Sequence, residues 1–212
     1  VFKELQRFDL LPYLYFVFSR RDTERLARAL GQQVRHSLLE DPEQQMALND
    51  ALDEAARNLG PALDPDLRAL YGRGIAFHHA GLHVQLKALV EDLYERKLVK
   101  VLYCTSTFAL GINMPARTVV FDGLSKYNGT TMAPLTTRQF MQKAGRAGRR
   151  GLDDVGHVVI RMDFTEFPEN GPLLEKYARH DYEPVRSSFS LSFNSIVNLL
   201  DSHDLAQVRE VV

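Results

Sequence analysis

The sequence predicts an α/β fold built on a parallel, doubly wound sheet, and three observations carry that prediction. Short apolar runs rich in β-branched and aromatic residues recur along the chain. The first four are apolar, β-branched or aromatic throughout rather than alternating, the mark of strands covered on both faces. Amphipathic helical patterns separate most of them, as crossover connections require. In order, Tyr13 to Phe18 reads as the first strand and Asp22 to Leu30 as the helix behind it. The region 31–72 breaks the rhythm: helical periodicity runs from Glu43 to Leu59, no strand is visible, and a helical excursion on the sheet's rim is expected. Ile75 to Phe77 is the second strand, followed by a helix over Val84 to Lys97 with Leu86, Leu89, Val90 and Leu93 on one side. Val101 to Cys104 and Thr118 to Phe121 are the third and fourth strands. A helix from about Leu135 precedes a fifth strand, Val155 to Met162. Phe164 to Asn170 reads as a linker, and Ser188 to Leu200 as a helix with Phe189, Phe193, Ile196, Val197 and Leu200 as its apolar face. The chain begins without methionine and stops inside a helical pattern, Leu205 to Val212, so a piece of a longer protein is expected.

Composition narrows the classes little. Of 212 residues, 45% are hydrophobic and 25% charged, ordinary for a globular domain. No apolar run approaches the roughly 20 residues that cross a bilayer. The single Cys104 excludes an internal disulfide and a multi-cysteine metal site, which suits a reducing, cytoplasmic setting. With a net charge of −1, nucleic-acid binding would have to rest on local basic patches.

One such patch is Gln142-Lys143-Ala144-Gly145-Arg146-Ala147-Gly148-Arg149-Arg150-Gly151. On a helix, Gln142, Arg146 and Arg149 fall at i, i+4 and i+7, on one face. From Arg138 to Arg150 there are five basic residues and no acidic one. Guanidinium forks aimed together suit a phosphate chain, whereas a solvated basic helix would be better served by alanine than by two glycines. An exposed basic helix remains the alternative on composition alone.

In open α/β sheets, ligands gather outside the carboxyl ends of strands. Strand one runs into Ser19-Arg20-Arg21, strand two into His78-His79-Ala80-Gly81 and strand three into Thr105-Ser106-Thr107. Small, hydroxylated and cationic residues along one edge suit a sugar-phosphate path. Helix capping is the competing use of each hydroxyl. His78 and His79 are adjacent on an extended segment and point opposite ways, so a shared metal is not expected and hydrogen bonding is. Glu91, Asp92 and Glu95 are expected on a solvated helix face. There is no Gly-x-Ser-x-Gly elbow and no Gly-x-x-x-x-Gly-Lys-Ser/Thr loop, so the chain alone is not expected to cradle a nucleotide's phosphates.

Four segments in order, Phe16 to Arg21, Phe77 to Leu82, Val101 to Arg117 and Gln142 to Gly151, resemble the second RecA-like lobe of superfamily 2 helicases. More narrowly, the chain is similar to the superkiller-type, exosome-associated DExH RNA helicases, on His78-His79-Ala80-Gly81-Leu82, Asn113-Met114-Pro115-Ala116-Arg117 and Gly145-Arg146-Ala147-Gly148-Arg149-Arg150-Gly151. The 31–72 excursion and Ser125-Lys126-Tyr127-Asn128-Gly129 also fit that group. The resemblance implies a RecA-like parallel sheet flanked by helices over 1–166, then linker and helices leading into a winged-helix domain over 167–212. It implies Arg149 as an arginine finger on the γ-phosphate of ATP, with Arg146 beside it and Gln142 near the attacking water or terminal phosphate. Gly111 and Asn113 would approach the nucleotide, and Ser19, Arg20, Gly81 and Thr105 the nucleic-acid backbone. ATP and Mg2+ would be held mainly by a first lobe carrying the phosphate loop and the Asp-Glu-x-His box. RNA, as a single strand or 3′ overhang, is the implied substrate, and RNA-degradation machinery the implied partner. A DNA helicase lobe and a non-catalytic nucleic-acid-binding lobe stay open as alternatives.

Overall fold

The structure, a computed structural model, describes residues 1–105, 114–184, 197–198 and 200–201. The chain forms two compact units, Val1–Tyr182 and Glu183–Val212. In the first, the described elements are α1 (Phe2–Arg7), β1 (Tyr13–Phe16), α2 (Arg20–Gln33), α3 (Pro42–Leu59), a 3-10 turn (Gly60–Ala62), α4 (Pro65–Tyr71), β2 (Ile75–His78), α5 (Val84–Glu95), β3 (Val101–Cys104), β4 (Thr118–Phe121), β5 (Ser125–Tyr127), β6 (Met132–Pro134), α6 (Thr137–Ala144), β7 (His157–Ile160) and α7 (Phe167–Ala178).

All five expected strands join one sheet in the order β2-β3-β1-β4-β7, every pair parallel. Register brings Phe16 level with Cys104 and Phe121, and Cys104 level with His78, so the carboxyl ends align. All residues of β1 to β4 are buried, as their uninterrupted apolar runs require. β7 is an edge strand and is only half covered. The core gathers Tyr13, Phe16, Phe77 and Phe121 from the strands with Leu30, Tyr71, Leu93 and Phe140 from the helices.

The 31–72 excursion is more than a rim. Leu48, Leu52 and Ala55 of α3 are buried, α3 packs on α4 and α5, and Asp41 and Asp64 cap α3 and α4 with their carboxylates. The linker reading of Phe164 to Asn170 is not what forms. A helix starts at Phe167, and its far end docks through Tyr177, stacked on Phe140 at 4.2 Å with its hydroxyl donating to the Leu135 carbonyl at 2.5 Å. The first compact unit therefore runs past Glu166 to Tyr182. The expected helix Ser188 to Leu200 lies mostly outside the described residues, with Val197, Asn198 and Leu200 helical; Leu205 to Val212 lies wholly outside them.

Candidate functional site

Two groups of chemistry-bearing residues sit at opposite ends of the sheet. The arginine segment begins on α6, whose first turn is closed by a reciprocal capping box between Thr136 and Gln139. The helix ends at Gly145, so Gln142, Arg146 and Arg149 do not share one helical face as their spacing suggests. The chain instead turns and lays Ala147 beside Ala116 in a parallel bridge, with Ala116 N donating to the Arg146 carbonyl at 2.9 Å and Gly148 N to the Ala116 carbonyl at 2.7 Å. Gly148 sits at φ +89°, a conformation helix residues do not adopt. Gly156 packs on this turn so closely that a Cβ there would lie 2.4 Å from the Ala147 carbonyl carbon. The glycines therefore admit another part of the same chain.

Beyond the turn, Arg149 is gripped by Asp153, a residue that sequence reasoning passed over. Nε and Nη2 of Arg149 donate to the two carboxylate oxygens, each at 2.7 Å, and its backbone N–H donates to Oδ2 at 3.0 Å. The Asp153 side chain is 4% exposed. Hydrogen bonding to Arg149 holds the Asp153 carboxyl below the usual carboxylate range, and the same pairing raises the Arg149 guanidinium. Arg117 approaches Asp153 at 3.8 Å and pairs with Asp9 at 2.7 Å. Arg117, Arg149, Asp153 and His157 line a polar hollow of about 330 Å³ beside the amino ends of β4 and β7. Gln142 is exposed on α6, and Arg146, half-buried, lies in the turn between. Arg149 alone of the three faces this hollow as a lining residue.

At the carboxyl ends, Ser19 caps α2, its hydroxyl accepting from Asp22 N at 3.4 Å, so capping is the use this structure gives that oxygen. Thr105 N donates to the His78 carbonyl at 3.2 Å, which holds the ends of β3 and β2 together. The two histidines diverge. His78 pairs through Nε2 with Glu91 at 2.8 Å and His79 through Nε2 with Glu24 at 3.0 Å. Burial lowers the His78 pKa, against the opposing pull of Glu91. Glu91 is thus a partner of a buried histidine and not merely part of a solvated face; Asp92, which pairs with Arg96, and Glu95 are exposed. His79 Nδ1 accepts from Gly81 N at 3.2 Å, leaving the proton on Nε2 facing Glu24. A Cβ at Gly81 would lie 3.3 Å from Arg20 Nη1, so the exposed Arg20 guanidinium lies against the glycine backbone. Arg20 and Gly81 are therefore brought together, with Ser19 at the cap of α2 and Thr105 just past the end of β3. Gly111 and Asn113 lie outside the described residues, as do Ser106 and Thr107.

Lys143 went unnoticed within its motif. It is 3% exposed, donates to the Gln139 carbonyl at 3.2 Å and lies 6.0 Å from the Phe16 ring centroid. Burial, aided by Lys126, pushes its pKa down to about 8. The β5–β6 hairpin also stood unread as strands. Its loop is tied by Asn128, whose side chain accepts from Thr130 N and Thr131 N, and it leaves Tyr127 and Met132 exposed. Among the described residues, no group of three or more His, Cys, Asp or Glu is placed to hold a metal ion. Nor, among them, is any helix long and apolar enough to cross a membrane.

Residues 56–151 match the helicase conserved C-terminal domain. The chain is 38% identical over 192 residues to the ATP-dependent RNA helicase mtr4 of Schizosaccharomyces pombe, covering 89% of the chain and 17% of that protein. It is 37% identical over 206 residues to the exosome RNA helicase MTR4 of Mus musculus, covering 94% and 19%. It is 40% identical over 205 residues to the DExH-box ATP-dependent RNA helicase DExH11 of Arabidopsis thaliana, covering 95% and 15%. The match takes in nearly the whole chain but less than a fifth of each of these relatives.

Proposed function

We propose that this chain, which carries a helicase C-terminal domain and belongs with the superkiller-type RNA helicases, works as the second motor lobe of an ATP-dependent RNA helicase. Arg149 acts as the arginine finger toward the γ-phosphate of ATP held across an interface by a first lobe, with Arg146 and Gln142 assisting. Gly111 and Asn113 approach the same nucleotide. Mg2+ is a ligand of the first lobe's phosphate site. Arg20 and the Gly81 backbone, flanked by Ser19 and Thr105, grip the sugar-phosphate chain of single-stranded RNA or a 3′ overhang. Such contacts carry no base information, so movement along the strand is largely sequence-independent.

The observation that carries this reading is the separation of the two groups. Arg149 lies at the amino end of the sheet beside β4, while Arg20 and Gly81 lie beyond the carboxyl ends of β1 and β2. One rigid sheet thus links a phosphate-facing cation to a backbone-facing edge. Closing the lobe onto ATP shifts the gripping edge relative to the first lobe, and hydrolysis removes the reason to stay closed. The names of the relatives favour RNA and, for MTR4, the exosome, so RNA-degradation machinery is the proposed partner. The test is the ATPase of the parent protein with single-stranded RNA and single-stranded DNA of equal length. Stronger stimulation by RNA is expected. Equal or greater stimulation by DNA favours a DNA helicase, and no ATPase under either condition leaves a non-catalytic binding lobe.

A further inference from the structure

We infer that Asp153 is a positioning residue, which sets Arg149 beforehand in the orientation needed to meet a terminal phosphate. This rests on the reading of Arg149 as the arginine finger. The geometry of the pair carries it. Asp153 takes Arg149 side-on, through Nε–H and one N–H of Nη2. A guanidinium has five N–H donors in a fixed plane, so three remain: both on Nη1 and the second on Nη2. Those lie along the far edge of the fork, the edge that spans two phosphate oxygens. The carboxylate therefore leaves free the donors that phosphate recognition uses.

The loop itself enforces this arrangement. Leu152 N and Asp153 N both donate to the Arg149 carbonyl at 3.0 Å, and Asp153 Oδ2 accepts the Arg149 backbone N–H. Backbone and side chain of Arg149 are thus fixed by one residue four positions on. Arg117 lies 3.8 Å from the same carboxylate, held by Asp9, and helps keep it charged. A free arginine would have to give up its rotamer freedom when the lobes close, whereas this one has already done so. The contrary arrangement, a latch that parks Arg149 until it is pulled away, would occupy the end-on donors, and here they are not the ones engaged.

The experiment uses the full-length parent protein and measures RNA-stimulated ATP hydrolysis for the wild type, Asp153→Asn, Arg149→Ala and the double variant, with RNA affinity measured alongside. Asp153→Asn is nearly isosteric and keeps one acceptor. It is expected to lower kcat by roughly tenfold to a hundredfold, the scale of a small misplacement of a catalytic group. KM for ATP and RNA affinity stay near wild type, which a general loss of folding would not allow. The double variant is no slower than Arg149→Ala alone, because Asp153 acts only through Arg149. Asp153→Glu, which restores the charge, recovers part of the rate. Wild-type or faster turnover in Asp153→Asn, with Arg149→Ala inactive, overturns the positioning role and leaves the finger standing; faster turnover would mark a latch. A further loss in the double variant also overturns it. Normal turnover in Arg149→Ala removes the finger assignment and the positioning role with it.

Discussion

Replacing Lys143 with methionine is expected to stabilise the lobe at neutral pH. Lys143 is an ammonium buried to 3% exposure, with one carbonyl at 3.2 Å and the Phe16 ring at 6.0 Å as its recorded compensation. Its pKa falls from 10.5 to about 8, chiefly by burial. At roughly 1.4 kcal/mol per tenfold change, that fall corresponds to a cost of about 3 kcal/mol in the folded state at pH 7. Methionine keeps an unbranched stem of similar length and removes the charge, while forfeiting roughly 0.5–1 kcal/mol of attraction to Phe16. A net gain of about 2 kcal/mol follows from these magnitudes. The sign with pH follows from the depressed pKa. Between about 8 and 10.5 the folded lysine is neutral while the unfolded one is still charged, so Lys143 adds a rise in wild-type stability through that window that the variant lacks, and the variant's advantage shrinks. Urea unfolding of both proteins at pH 7, 8.5 and 10 measures this. A methionine variant no more stable at pH 7, or an advantage that persists undiminished at pH 10, would refute the reasoning.

Other substitutions probe the remaining packing. Gly156→Ala places a Cβ 2.4 Å from the Ala147 carbonyl carbon and 2.5 Å from Gly148 N, so the arginine turn must shift. A loss of about 1–3 kcal/mol is expected in thermal unfolding, with a matching fall in the parent's ATPase; an unaltered melting temperature contradicts the close approach. His78 is held neutral by burial, with a folded pKa below 6.5. Its contribution to stability is full above that pH and declines on acidification, as the unfolded chain takes up the proton first. His78→Gln should flatten the pH dependence of stability between pH 5 and 7, and an unchanged slope would show that other groups set it.

The sheet was legible because all five strands announce themselves as short apolar runs, and the structure places each within a residue or two of its expected bounds. The edge strand was overdrawn: Val155 to Met162 contracts to His157–Ile160, and Gly156 before it is taken up by the close packing on Ala147. Within the excursion α3 formed within a residue of its expected bounds, whereas α4 and the docking of α7 were less visible. Tyr177 gives no local sign that it will stack on Phe140, because that contact is made across 37 residues of chain and depends on the sheet being already formed. The arginine motif shows the same limit more sharply. Its spacing fits a helix, and helical spacing was the only geometry available before Ala116 and Gly156 were known to pack on it. Asp153 was in plain view four residues after Arg149, yet reads as one of two acidic residues in a polar turn. Only the structure shows it holding Arg149 side-on. Arg20 and Gly81, by contrast, were rightly placed on one edge from strand ends alone, because parallel register aligns those ends.

The central claim is that Arg149 serves hydrolysis while the opposite edge of the sheet holds RNA, and separating the two activities tests it most directly. In the parent protein, RNA-stimulated ATP hydrolysis and single-stranded RNA affinity are measured side by side for Arg149→Ala and Arg20→Ala. An arginine finger accounts for roughly a thousandfold or more in rate. Arg149→Ala should therefore abolish turnover with RNA affinity nearly intact, and Arg20→Ala should weaken RNA binding most at low salt and flatten its dependence on salt. Near-normal turnover in Arg149→Ala, or an equal loss of RNA binding in both variants, would contradict the account.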